Sequence, residues 1–111
     1  MANKRHRIHV YKDSEGEFRV FPPVLVVQGN GNSANTDEVE LFNHTDEDLF
    51  WTVPAGVFDT TAHNEPIAKG MPSAAAKKAR GVNFSANYVV YMVGSSKKAK
   101  GNSDPVIIIE N

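Results

Sequence analysis

Inside the domain, four side chains are the candidates for soft metal ligands: His44, His63, Met71 and Met92. Thioether and imidazole donors together suit Cu(I). If the segment carrying His63 and Met71 folds over the end of a β-domain near Met92, the four donors meet at one copper ion. The competing expectation is that Met92 and Met71 fill core space and the histidines sit in solvent. His6 and His9 stand three apart, which on a strand sends them to opposite faces and makes them a poor chelate. Cysteine is absent, so thiol catalysis, disulfides, zinc–thiolate sites and iron–sulfur clusters are excluded.

Other patterns carry less chemistry. Gly29-Asn30-Gly31-Asn32-Ser33-Ala34 has the G-x-G-x-x-A spacing of a dinucleotide loop. That loop needs a helix after it to face the pyrophosphate, and Asp37 to Asn43 alternates like a strand instead. Asp46-Glu47-Asp48 are consecutive acids on a turn and do not meet the calcium-loop spacing. No serine has a base at the spacing of a nucleophile elbow, so no catalytic residue is assigned and the chain is not expected to be an enzyme. Phe50 and Trp51 are strand neighbours and must point to opposite faces. One enters the core; the other is covered by the Thr60–Arg80 segment or serves as an anchor for a partner. Lys97, Lys98 and Lys100, with the Lys77–Arg80 cluster, offer positive charge to an anionic partner or are simply solvated. The expected partner-binding set is therefore Phe50, Trp51, Lys97, Lys98 and Lys100.

The elements that must position these groups read as all-β. In 111 residues, short apolar or alternating runs are punctuated by turn residues. The runs are Arg7 to Tyr11, Phe18 to Val20, Val24 to Val27, Glu38 to Asn43, Leu49 to Val53, Val82 to Phe84, Tyr88 to Val93 and Val106 to Ile109. Val57-Phe58 can begin another. Thr60 to Gly70 and Ser95 to Ser103 read as loops. Ser73-Ala74-Ala75-Ala76-Lys77-Lys78-Ala79-Arg80 is the one helix-like stretch, capped by Ser73 and stopped by Gly81. Seven or eight short strands in one domain spanning residues 1–111 predict a β-sandwich with Greek-key connections.

Net charge is -1, which argues against a general nucleic-acid binder. The charges are blocked along the chain. Val20 to Ala68 contains no Lys or Arg, and Pro66 to Ser103 contains no Asp or Glu. Such blocks either form opposed faces that favour self-association or are mixed by folding. No apolar run reaches the ~20 residues of a membrane helix, and no signal-peptide pattern follows the basic start. The sequence as it stands reads as cytoplasmic, or periplasmic or secreted if a leader once preceded it.

From Val20 to Glu110 the residues resemble a known family. Phe21-Pro22-Pro23-Val24-Leu25-Val26-Val27, a Gly-containing turn, and Asp37-Glu38-Val39-Glu40-Leu41-Phe42-Asn43-His44-Thr45 look like the first half of a cupredoxin. Tyr88-Val89-Val90-Tyr91-Met92 looks like the Tyr-x-x-Tyr-Cys strand of plastocyanin-like domains, and Asp104-Pro105-Val106-Ile107-Ile108-Ile109-Glu110 like their last strand. The ligand set departs from the family. Met92 stands at the cysteine position. Leu49, Phe50 and Trp51 occupy the region of the first histidine, and His44 lies too near Asn43 to match. No histidine follows Met92. An uncharged thioether donates weakly to Cu(II) and does not replace a thiolate. The resemblance thus implies a cupredoxin-like sandwich without type 1 copper and without a cofactor. Such a chain is expected to be a non-catalytic binding or assembly module and a homo-oligomer; the alternative is Cu(I) handling through the His/Met set.

Overall fold

The computed structural model describes residues 4–29, 36–58, 61–74, 77–79, 84–100 and 104–110. The chain is all-β. Its strands are β1 (Arg5–Lys12), β2 (Phe18–Phe21), β3 (Val24–Gln28), β4 (Glu38–Asn43), β5 (Leu49–Val53), β6 (His63–Ile67), β7 (Lys77–Lys78), β8 (Phe84–Asn87), β9 (Val89–Met92), β10 (Lys97–Ala99) and β11 (Val106–Glu110).

They form three sheets, ordered β2-β1-β4-β7, β10-β9-β5-β6 and β3-β11-β8, an arrangement compatible with a β-sandwich. β1 and β2 make a hairpin whose turn is dictated by Asp13 and Gly16. The Asp13 carboxylate accepts the Glu15 and Glu17 amides at 2.9 Å each. Gly16 takes a φ of 82°, which a side chain would oppose. β4 then returns to lie parallel to β1, with Ile8 opposite Leu41 and His9 opposite Phe42. β3 is likewise parallel to β11, Leu25 opposite Ile107. The second sheet is antiparallel throughout. Backbone bonds between Val20 and Lys100 and between Lys100 and Phe18 (3.2 Å each) join β2 to β10.

Alternation decides which residues meet. Ile8 and Val10 of β1, Val39 and Leu41 of β4, Leu49, Trp51 and Val53 of β5, Val90 and Met92 of β9, Leu25 and Val27 of β3, and Ile107 and Ile109 of β11 are all buried. Burying each such side chain stabilises by ~1.5–3 kcal/mol, against ~0–1 kcal/mol for an exposed ion pair. Apolar burial therefore sets the fold.

Several segments differ from the sequence expectation. Of the strand expected at Val82 to Phe84, residues 82 and 83 lie outside the described residues, and the strand there runs Phe84–Asn87. No helix occurs at 73–80 among the described residues. Instead Lys77–Lys78 pairs with Glu38 and Val39 as β7, and the buried Ala79 donates its amide to Asp37 O at 2.9 Å. A two-turn alanine helix is marginal alone, whereas the open edge of β4 supplies backbone partners. Ala75, Ala76 and Arg80 lie outside the described residues. The loops expected at Thr60 to Gly70 and Ser95 to Ser103 each contain a strand, β6 and β10. Both are polar edge strands, held by backbone pairing and not by apolar alternation. Val57 and Phe58 are buried but lie in no strand.

Candidate functional site

The chemistry expected at Met92 depends on what surrounds it. On the inner face of the second sheet, Met92 stands opposite Leu49, and Leu49 opposite Ile67. All three are buried. His63 pairs with Val53 at the far end of β5, four residues from the Leu49 row and so ~13 Å along the strand. Its ring meets Trp51 and Phe58 edge to face at 5.3 and 5.8 Å. Its Nε2 lies 3.0 Å from Glu65 Oε1, while Glu65 Oε2 accepts the Ala74 amide. His44 is on the outer side of the first sheet, against Phe42 and His9. Met71 is 53% exposed, its carbonyl accepting the Asn43 amide at 2.9 Å. The described structure thus does not gather His44, His63, Met71 and Met92 around one point.

What does converge near Met92 is the polar end of β4. Asn43 is fully buried. Its Nδ2 donates to the carbonyls of Glu47 (2.8 Å), Ile67 (3.2 Å) and Ala68 (3.2 Å). Its Oδ1 accepts the Thr45 amide at 3.0 Å and hydroxyl at 2.7 Å. Glu47 Oε1 takes the Ser95 amide at 2.8 Å. One side chain thereby pins the turn after β4 and the exit of β6, and through Glu47 the turn after β9.

A second buried acceptor sits at the opposite end of β4. The Asp37 carboxylate accepts the Lys4 and Gln28 amides at 3.0 Å each and His6 Nε2 at 2.8 Å. Burial pushes its pKa up, but the Gln28 and Lys4 amides and His6 outweigh that and hold it below the ordinary value. Asp37 so ties the starts of β1 and β4 to the end of β3.

The outer faces carry the remaining candidates. Trp51 is buried and Phe50 is 39% exposed, so the two aromatics point oppositely as expected. Phe50 lies in register with Tyr91 and Pro66, and Tyr91 with Lys98. This makes one outward row, Lys98–Tyr91–Phe50–Pro66. Lys97, Lys98 and Lys100 also line an open depression with Glu15 and Glu17. Arg5 and Arg7 pair with Glu38 (3.6 Å) and Glu40 (2.7 Å). Folding thus sets these basic residues beside acidic ones.

The third sheet is different. β3 lies at its edge. Gly29 N bonds Glu110 O, and Val106 N bonds Pro23 O. The odd-numbered residues of β3 therefore face β11, and Val24, Val26 and Gln28 face away. The Gln28 carbonyl accepts the Asp37 amide, and the Gln28 amide donates to the Asp37 carboxylate. The peptide groups of Val24 and Val26 have no partner among the described residues. Their side chains are 51% and 46% exposed and adjoin half-buried Val106 and Ile108 in register.

Comparison with known proteins finds no matching family model, no matching curated protein and no matching solved structure.

Sequence reading missed three features. The role of Asp37 as an acceptor depends on β3 and β1 converging on it, which no local signal shows. His9 does not chelate with His6; its partner is His44, supplied by parallel pairing of β1 with β4. The free edge of β3 was legible only as a β-branched run after two prolines.

Proposed function

We propose that this chain is a non-catalytic, cupredoxin-like binding and assembly module that lacks type 1 copper and associates with a second copy through the edge of β3. Several features support the relationship: β1 parallel to β4, β3 parallel to β11, Asn43 closing β4, and Met92 buried where the resemblance puts a thiolate. Greek-key connectivity belongs to the same proposal.

The observation that carries the assembly reading is the edge itself. Natural sheets blunt an apolar edge with charge, proline or a covering segment. Here Val24 and Val26 present peptide groups that have no partner among the described residues, and exposed β-branched side chains. Two copies of β3, antiparallel about a twofold axis at Leu25, place Val24 opposite the partner's Val26 and the reverse. Both are hydrogen-bonded pairs, so the contact closes with about four backbone bonds. The outward side chains of β3 up to Gln28 bear no charge, so like charges do not meet. Pro22 and Pro23 limit the pairing at one end, and the Gln28–Asp37 bonds limit it at the other. The contact is therefore short and self-terminating.

The test is sedimentation velocity across protein concentration, with the Val26→Lys variant alongside. The expected result is a monomer–dimer equilibrium in the parent chain and a monomer in the variant, with unchanged melting temperature. A parent chain that stays monomeric up to about millimolar concentration refutes the proposal.

A further inference from the structure

The outer face of the first sheet carries an arrangement that the assembly reading does not use. His9 of β1 lies in register between Phe21 of β2 and Phe42 of β4. Immediately after β4, the His44 amide bonds Val10 O at 2.8 Å, which keeps the chain against β1. The His44 ring stacks on Phe42 with centroids 4.2 Å apart and planes 13° apart. That stack fixes the imidazole so that its Nε2 is 2.8 Å from His9 Nδ1. The two rings are 5.0 Å apart and inclined by 24°.

Two imidazole nitrogens at this distance share one proton: one ring donates, the other accepts. A metal ion can take that proton's place. Nitrogens bound at ~2.0–2.1 Å on adjacent positions of one ion stand ~2.9–3.4 Å apart. With the nitrogens 2.8 Å apart and the ring centroids 5.0 Å apart, the two nitrogens point nearly at each other, so binding one ion requires both rings to turn until their lone pairs converge on it. Tetragonal N,O coordination is the preference of Cu(II), and Cu(II) also heads the divalent affinity order. Calcium and magnesium demand oxygen ligands, which two imidazoles do not supply.

Arg7 is engaged by Glu40 Oε1 through Nε at 2.9 Å and Nη2 at 2.7 Å, and its guanidinium sits 5.9 Å above the Phe42 ring. Its positive charge is thus largely balanced by the carboxylate.

We infer that His9 and His44 form a bidentate, open-sided surface site for a divalent late-transition-metal ion. Cu2+ binds tightest there, Ni2+ and Zn2+ more weakly, and water or a partner's donor completes the shell. This site is separate from the Met92 region and from the β3 edge, so it stands or falls without the assembly proposal.

The experiment is calorimetric titration of the full, metal-stripped chain with Cu2+ in a non-coordinating buffer, with electron paramagnetic resonance on the one-equivalent sample. His9→Gln, His44→Gln and Phe42→Leu are the test variants; His6→Gln and His63→Gln are the controls. The expected result is one Cu2+ with imidazole nitrogen coupling. Each of the first two variants lowers affinity at least tenfold, Phe42→Leu lowers it several-fold, and the controls leave it unchanged. The melting temperature of each variant, measured without metal, verifies that it is folded. Copper affinity that persists in the His9→Gln/His44→Gln double variant overturns the inference, as does a loss of equal size in either control.

Discussion

Replacing Asp37 with asparagine changes one oxygen to an amino group at nearly constant volume. In the folded chain both carboxylate oxygens are in use: Oδ1 accepts the Lys4 amide, and Oδ2 accepts the Gln28 amide and His6 Nε2. The side chain is 7% exposed. An asparagine has one acceptor oxygen. Whichever way it turns, at least one backbone N–H faces an NH2 group and loses its partner. An unsatisfied buried donor costs ~1–3 kcal/mol, and hydrogen bonds to a charged acceptor are worth ~1.5–3 kcal/mol where neutral ones give about half that. The expected loss for Asp37→Asn is thus about 2–4 kcal/mol. At ~4 °C or more per kcal/mol for a chain of this size, that is a fall in Tm of roughly 10–20 °C. The pH dependence carries an independent sign. The folded carboxyl titrates below its ordinary value of 3.8, so its contribution is fully present above that pH. It is lost as pH falls through the lower, folded-state pKa. Urea unfolding of both proteins between pH 7 and pH 2.5 tests both points. The difference between them should be full near neutrality and shrink below about pH 4. A difference under ~0.5 kcal/mol at pH 7, or one that does not change on acidification, refutes the reasoning.

Three further outcomes follow from buried polar groups. Asn43→Ala abandons the carbonyls of Glu47, Ile67 and Ala68 and the Thr45 donors; it should cost about 3 kcal/mol in urea unfolding. Tyr88 is buried, burial raises its pKa, and its hydroxyl has no partner among the described residues. Tyr88→Phe should therefore leave stability unchanged or raise it by up to ~1 kcal/mol, and a loss beyond ~1.5 kcal/mol would mean that the hydroxyl is bonded. A Cβ at Gly94 would come within 2.9 Å of Glu47 Oε1, the acceptor of the Ser95 amide. Gly94→Ala should cost about 1 kcal/mol, and adding Glu47→Ala should remove most of the additional cost, measurable as a double-mutant cycle.

Local pattern made the apolar strands legible. Ile8/Val10, Leu49/Trp51/Val53 and Ile107/Ile109 alternate or run apolar, and each lies on an expected strand; which face turns inward is settled only by the packing. The polar edge strands were not legible. His63-Asn64-Glu65-Pro66-Ile67 has no apolar period, and it is a strand because β5 offers it a ladder. Lys77–Lys78 had helix-favouring neighbours, and tertiary pairing with β4 outweighed them. The site chemistry was hidden for a related reason. Which histidine meets which depends on parallel pairing between distant strands, so His9 and His44 meet whereas His44 and His63 do not.

The parallel pairing of β3 with β11 also has a consequence in time. Val24 must wait for Val106, so during synthesis the β3 segment exists for on the order of several seconds, at ~5–20 residues per second, before its ladder partner has emerged. Through that interval both of its edges, and not one, are open templates for another nascent chain. Ribosome-bound crowding should therefore be the stage at which this protein most needs a holding chaperone, and slower translation of the stretch between the two strands should lower its soluble yield.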